Sequence, residues 1–225
     1  MIKRFFCLLI FILICFETNS AEIIREDHLF NQGVGARPLA MGNAFTGVAD
    51  DINAVFYNPA GIASIDKFSL LGLSSKRMMD VDASTLLSAW PTETWGTFAF
   101  GTTALIVPSI ALAGYDPVEN KVYKAGDAFY EERLWLLGWG RRINEDISLG
   151  LNLKSYTIGF STNVDTYDSY RARGYDVDIG FLWKLNWRLS LGIMWQNAAS
   201  TLSKSGGLEW STGSIERFDG GPRVG

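Results

Sequence analysis

The chain has few cysteines, a single histidine, few prolines and no long apolar run beyond its N-terminus. Its two cysteines, Cys7 and Cys15, both lie in the N-terminal apolar segment, so the rest of the chain has neither a disulfide framework nor a thiolate metal site. His28 stands alone in a polar stretch and reads as a solvated residue. One histidine cannot build a His-based metal cluster, and its place in a polar segment ahead of the strands nearly excludes a Ser-His-Asp triad, so no catalytic residue, metal or cofactor is expected and the chain is not read as an enzyme. The net charge of −4 gives no reason to expect nucleic acid as a partner. Hydrophobic residues still make up 48% of the chain. With no continuous apolar 18-mer after the N-terminus, that content must be spread through strands.

The N-terminus sets the compartment. Lys3 and Arg4 precede the apolar run Phe5 to Phe16, and Asn19-Ser20-Ala21 supplies small residues for cleavage. The run is shorter than the roughly 20 residues a membrane-spanning helix needs. Residues 1–21 are therefore expected to be a secretory signal peptide, cleaved after Ala21. The bulky Ile14 before Cys15 argues against lipoprotein acylation.

Beyond residue 65 the chain alternates. Ile147, Leu149, Leu151 and Leu153 point one way, with Ser148, Gly150, Asn152 and Lys154 opposite. Tyr175, Val177, Ile179, Phe181, Trp183 and Leu185 likewise oppose Asp176, Asp178, Gly180 and Lys184. Leu189, Leu191, Ile193 and Trp195 repeat the pattern. A period of two is the strand period. Strands are expected near 68–75, 84–90, 95–107, 129–140, 147–160, 174–185 and 188–197, with an eighth beginning at Pro222. Short links (91–94, 141–146, 186–187) alternate with long ones (76–83, 108–128, 161–173, 198–221). Such strands suit either a soluble sandwich with buried apolar faces or a membrane barrel with lipid-facing ones. Strand length, tryptophans near strand ends and the alternation of short and long links favour a transmembrane antiparallel β-barrel.

Ahead of the strands, Gly33 to Ala63 reads GVGARPLAMGNAFTGVADDINAVFYNPAGIA. It is expected to fold as a compact plug. Leu39, Met41, Phe45 and Val48 are spaced to bury one side of a helical or turn-rich segment, and Ile52 to Tyr57 suits a short helix. Asp50 and Asp51 are expected to cap that helix. Asn58 precedes Pro59 and is pushed out of helical geometry. Gly61 gives freedom at the exit.

The run GVGARPLAMGNAF, then VADD, then AVFYNPAGIA, resembles the N-terminal signature of PorV/PorQ-type proteins, within the FadL-like outer-membrane family of long-chain fatty-acid transporters. The resemblance covers the signal, the plug and the early strands, and Asn58-Pro59-Ala60 is its most diagnostic part. It implies a 14-stranded barrel with an N-terminal hatch in the lumen, located in the outer membrane of a Gram-negative-type envelope. The expected organisation is residues 1–21 signal peptide, 22–66 plug and 67–225 partial barrel. About seven to eight strands are countable where the resemblance implies fourteen, so the chain is expected to be a fragment or truncated product. A closed eight-stranded barrel is the alternative, though its lumen would be narrow for such a plug.

Two functions fit. One is passive uptake of hydrophobic solutes such as long-chain fatty acids, gated by the plug. Its motif would be Asp50, Asp51, Asn58, Pro59, Ala60 and Gly61, with Phe45, Phe56 and Tyr57 as possible ligand contacts. The other is a PorV-like role with secretion-system proteins, using the 108–128 connection as the working surface. Outer-membrane lipid is an expected partner in both.

Overall fold

The computed structural model describes residues 33–77, 81–164, 169–199, 207–210, 215–216 and 221–224. The expected signal peptide, both cysteines and His28 lie outside them. Two short helices, α1 (Ala36–Ala40) and α2 (Ala54–Tyr57), and a 3-10 helix, Pro59–Ser64, come first. Seven long strands follow: β1 (Ser69–Arg77), β2 (Val81–Thr92), β3 (Gly96–Asp116), β4 (Lys121–Arg142), β5 (Ile147–Thr162), β6 (Tyr170–Asn186) and β7 (Leu189–Gln196). Three short ones complete the sheet: β8 (Gly207–Trp210), β9 (Ile215–Glu216) and β10 (Gly221–Val224).

The chain is all-β in class, built on one antiparallel sheet. Strands β1 to β7 pair in chain order, and β10 adds to β7. β8 pairs with the far end of β6, and β9 with β8. Among the described strands, β1 has a partner on one side only.

Two expected connections are strands instead. Much of 108–128 belongs to a long hairpin, with Ile110 to Asp116 of β3 paired to Lys121 to Ala128 of β4. The ladder of β2 on β3 ends at Ile106, and that of β5 on β4 at Ala128. The hairpin thus continues for about 20 Å as a two-stranded ribbon. Pro108 sits where the register shifts between Val107 and Ile110. A bulge needs no N–H from that residue, which is where strand proline is tolerated. The region 198–221, also expected as a loop, contains β8 and β9.

One face of the sheet is covered by residues 33–65, and the covering is polar where the sequence alternates. On β5, Ser148, Gly150, Asn152 and Lys154 are buried, whereas Leu149, Leu151 and Leu153 are exposed. On β6, Gly174, Asp176, Asp178 and Gly180 are buried, while Tyr175 and Ile179 are exposed. A soluble sandwich buries the opposite set.

The main apolar core lies between the N-terminal segment and the sheet. Phe45, Val55, Tyr57, Ile62 and Ile65 of the segment pack with Leu87, Ala89, Ala99 and Leu136 of the strands. A smaller cluster joins Leu134, Tyr156, Ile158 and Ala172, and Phe56 packs against both.

The bare face is layered. Strand register aligns Phe98, Trp139, Leu151, Ile179 and Trp195 in one rung. Phe100, Leu137, Leu153 and Val177 form the next, then Thr102, Trp135, Ser155 and Tyr175. Beyond the Trp135–Tyr175 rung the residues become charged, with Arg133 and Arg173 flanking Thr157, then Glu131 and Arg171 flanking Gly159.

Candidate functional site

The docked segment and the polar residues beneath it form the site. Two glycines allow the segment's backbone to rest on the strands. A Cβ on Gly150 would lie 2.2 Å from the Pro59 carbonyl carbon and 2.3 Å from the Ala60 nitrogen. On Gly180 it would lie 2.4 Å from Asn58 Oδ1. The strand-period alternation placed both glycines on the polar face. The structure adds that Asn58-Pro59-Ala60 sits against them.

Asn58 is fully buried and leaves the helix with an extended backbone, φ −165° and ψ 102°. Its Nδ2 donates to the Thr46 and Phe181 carbonyls, each at 2.9 Å, and its Oδ1 accepts from Ala60 N–H at 3.2 Å. One side chain therefore caps the 3-10 helix, closes the loop at Thr46 and fastens both to β6. Pro59 opens the 3-10 helix. Gly61 serves a different purpose from the expected one: a Cβ there would lie 1.9 Å from the Ala49 carbonyl oxygen, so close approach is what requires glycine.

Replacing Asn58 with alanine is expected to weaken segment docking by about 1–3 kcal/mol, because buried partner groups lose their hydrogen bonds. Hydrogen exchange should then rise across residues 33–65 while β3 to β6 stay protected. Equal loss of protection in both regions would show that Asn58 supports the whole fold and not the docking alone.

Asp50 and Asp51 are not helix caps. Both carboxylates bind Arg37 of α1, Asp51 at 2.8 Å and Asp50 through Nη1 and Nη2. Arg37 also lies 5.1 Å from the Phe45 ring centroid. Its hydrogen bond holds the Asp50 carboxyl below the usual range. Asp51 Oδ1 additionally accepts from Asn53 N–H and Nδ2, each at 2.8 Å, turning the chain ahead of α2. The helix N-cap is Asn53, which makes no side-chain cap bond.

Phe45 and Tyr57, expected to meet ligand, are enclosed in the core with their rings edge-to-face at 5.5 Å. The Tyr57 hydroxyl donates to Asn43 Oδ1 at 2.9 Å, and burial pushes its phenol up to about 12. Phe56 is half-buried. The expected apolar side of 36–48 is also not the buried one: Leu39, Met41 and Val48 are exposed, and only Phe45 is enclosed.

Beneath the segment lies a buried charged cluster. Lys154 Nζ sits 2.5 Å from Asp178 Oδ1 and also donates to Asn197 Oδ1. Asp178 further accepts from Asn197 N–H at 2.9 Å and Asn152 Nδ2 at 3.2 Å. Asn152 Nδ2 reaches the segment too, donating to the Val55 carbonyl at 2.7 Å. Asp176 Oδ1 accepts from Ala199 N–H at 3.0 Å. Strand alternation brought Asn152, Lys154, Asp176 and Asp178 to one face. It gave no sign of Asn197, which takes a left-handed backbone (φ 54°) just after β7, or of the buried Glu132, which accepts from the Tyr130 hydroxyl. Lys184, expected with the buried set, is exposed.

Two amide oxygens of the segment and its footing, Asn53 Oδ1 and Asn152 Oδ1, are buried without a hydrogen-bond partner. Comparison with protein-family models, with curated proteins and with solved structures gave no match.

Proposed function

We propose that the chain is an outer-membrane strand protein of the FadL-like kind, exported by a cleaved signal peptide, that admits hydrophobic solutes past residues 33–65 acting as a hatch. The observation that carries this reading is the reversed polarity of the sheet. Ion-paired and amide side chains are covered, while leucine, isoleucine and aromatic side chains are bare. In water that arrangement is unfavourable, and against lipid it is the favourable one. The bare belt on β5 runs from Ile147 to Ser155, about 27 Å of strand. Tilted as membrane strands are, it covers roughly 21 Å, close to the apolar band of outer-membrane barrels. No helix among the described residues is long and apolar enough to cross a membrane, so a crossing would use strands.

Movement of the segment is supported by the way it is held. Besides the shared apolar core, its hydrogen bonds to the strands are few: Asn58 to Phe181, Asn152 to Val55, Ser190 to Gly47, and two long ones, Thr97 to Ile65 and Arg142 to Ala63. The two orphan amide oxygens lower the cost of lifting it, since such groups regain partners in water. A solute arriving at the segment meets exposed Leu39, Met41 and Val48 before Phe45 or Tyr57.

The test is uptake of labelled fatty acid or alkane by cells with and without the protein. Faster uptake with it is expected. Unchanged uptake together with lost export of surface proteins would instead favour a PorV-like secretion component. The ribbon of β3 and β4 gives that second reading its support, because Tyr115, Val118, Val122 and Tyr123 are all exposed near its tip.

A further inference from the structure

Val55 lies in α2, and its carbonyl lacks the partner a helix normally supplies. That partner would be the N–H four residues on, and residue 59 is proline, which has none. Asn152 of β5 provides the missing donor, its Nδ2 standing 2.7 Å from the Val55 carbonyl. The sequence Asn58-Pro59 thus leaves a buried acceptor in the segment, and the strand beneath satisfies it.

The same Nδ2 also donates to Asp178 Oδ2 at 3.2 Å. An amide nitrogen carries two hydrogens, so both acceptors are served at once. Asn152 Oδ1, by contrast, has no hydrogen-bond partner among the described residues. It lies beside Gly138, where a Cβ would be 3.1 Å from it and 3.0 Å from both Val55 Cγ2 and Ile62 Cδ1. Turning the amide over would aim Oδ1 at a carbonyl and a carboxylate together. Asn152 therefore bears one unsatisfied oxygen because both groups facing its other end are acceptors. Its orientation depends on what stands at residue 178.

The two oxygens of Asp178 have separate tasks. Oδ1 is engaged by Lys154 and by Asn197 N–H, and Oδ2 faces Asn152. An asparagine at 178 would keep its oxygen toward Asn197 N–H and present its amide nitrogen to the Asn152 amide nitrogen. Two donors would then meet. Turning Asn152 over relieves that contact, but sets its Oδ1 against the Val55 carbonyl. The segment yields, because few hydrogen bonds hold it to the strands.

We propose that Asn152 is a latch for the segment, set by residue 178: a carboxylate there holds the segment down, and a hydrogen-bond donor there releases it. Asp178 is a positioning residue, acting on the segment through Asn152. The latch deepens the hatch reading above and rests on it, since holding matters only for a segment that moves.

Hydrogen exchange of the full chain in detergent micelles is followed separately over residues 33–65 and over β3 to β6. Asp178→Asn alone would leave Lys154 without its charged partner and loosen the whole fold, so it is combined with Lys154→Met. In that double variant the segment is expected to exchange at least about tenfold faster than in the wild type, with β3 to β6 still protected. Asn152→Ala should produce a similar increase, and adding it to the double variant should produce no more, because one latch is released only once. Unchanged protection of the segment in the double variant would overturn the latch. So would additive effects of Asn152→Ala and the change at 178, or an equal rise in segment and strands. A segment that never exchanges ahead of the strands, in the wild type or any variant, would sink the hatch reading itself. A segment that opens ahead of them whatever stands at 178 sinks only the latch.

Discussion

Replacing Lys154 with methionine is expected to destabilise the folded chain by about 3–5 kcal/mol, the usual result of leaving one buried charge without its partner. The carboxylate left behind, Asp178, is buried with the second carboxylate, Asp176, on the same face of the same strand. Amide donors from Asn152 and Asn197 remain for Asp178, but neither carries the full positive charge that the lysine supplied. Adding Asp178→Asn should restore much of the loss, because a charge-free pair needs no counter-ion and the asparagine Oδ1 can still accept from Asn197 N–H. Urea unfolding of the wild type, both single variants and the double variant, followed by tryptophan fluorescence, gives the coupling energy. A double variant no more stable than Lys154→Met would mean that the lysine acts through packing and not through its charge.

Arginine in place of Ile179 tests the bare face. Ile179 is 42% exposed and lies in the rung with Phe98, Trp139, Leu151 and Trp195, midway along the apolar belt. Against lipid the substitution is expected to cost about 2–4 kcal/mol of folding into vesicles, as charges near the bilayer midplane do. In water the same change would be neutral or would raise solubility. Gly159→Arg provides the depth control. A Cβ there meets nothing within 4 Å, and Glu131 stands beside it in the charged rung. Its expected penalty is about 0–1 kcal/mol. Equal effects at both positions would remove the depth dependence on which the lipid-facing assignment relies.

The strands that could be read from sequence were those with two chemically different faces. On β5 and β6, leucines and aromatics alternate with Gly, Asn, Asp and Lys, so the period of two is visible without knowing which face is covered. The outer halves of β3 and β4 gave no such contrast. Pro108, Gly114, Asn120 and scattered charges there have the composition of a loop, and only pairing with each other makes them strands. The N-terminal segment was legible as a folded unit and illegible in detail. Its short helices do not set a helical face, so spacing could not tell that Phe45 is enclosed while Leu39 and Met41 are not. Asp50 and Asp51 were misread for a related reason: their partner, Arg37, is more than ten residues away, beyond the reach of local capping rules.

If the chain enters a bilayer as proposed, the bare edge of β1 limits how it can do so. From Ser69 to Arg77, one side of the strand offers N–H and C=O groups to no described partner. Water satisfies such groups at little cost, but hydrocarbon leaves each unpaired one several kcal/mol worse off. Over nine residues that penalty outweighs any single side-chain effect considered above. Insertion is therefore a stoichiometric problem as well as a hydrophobic one. Each embedded β1 requires backbone from a further strand along its length, and the supply of that strand sets whether the bare leucines reach lipid at all.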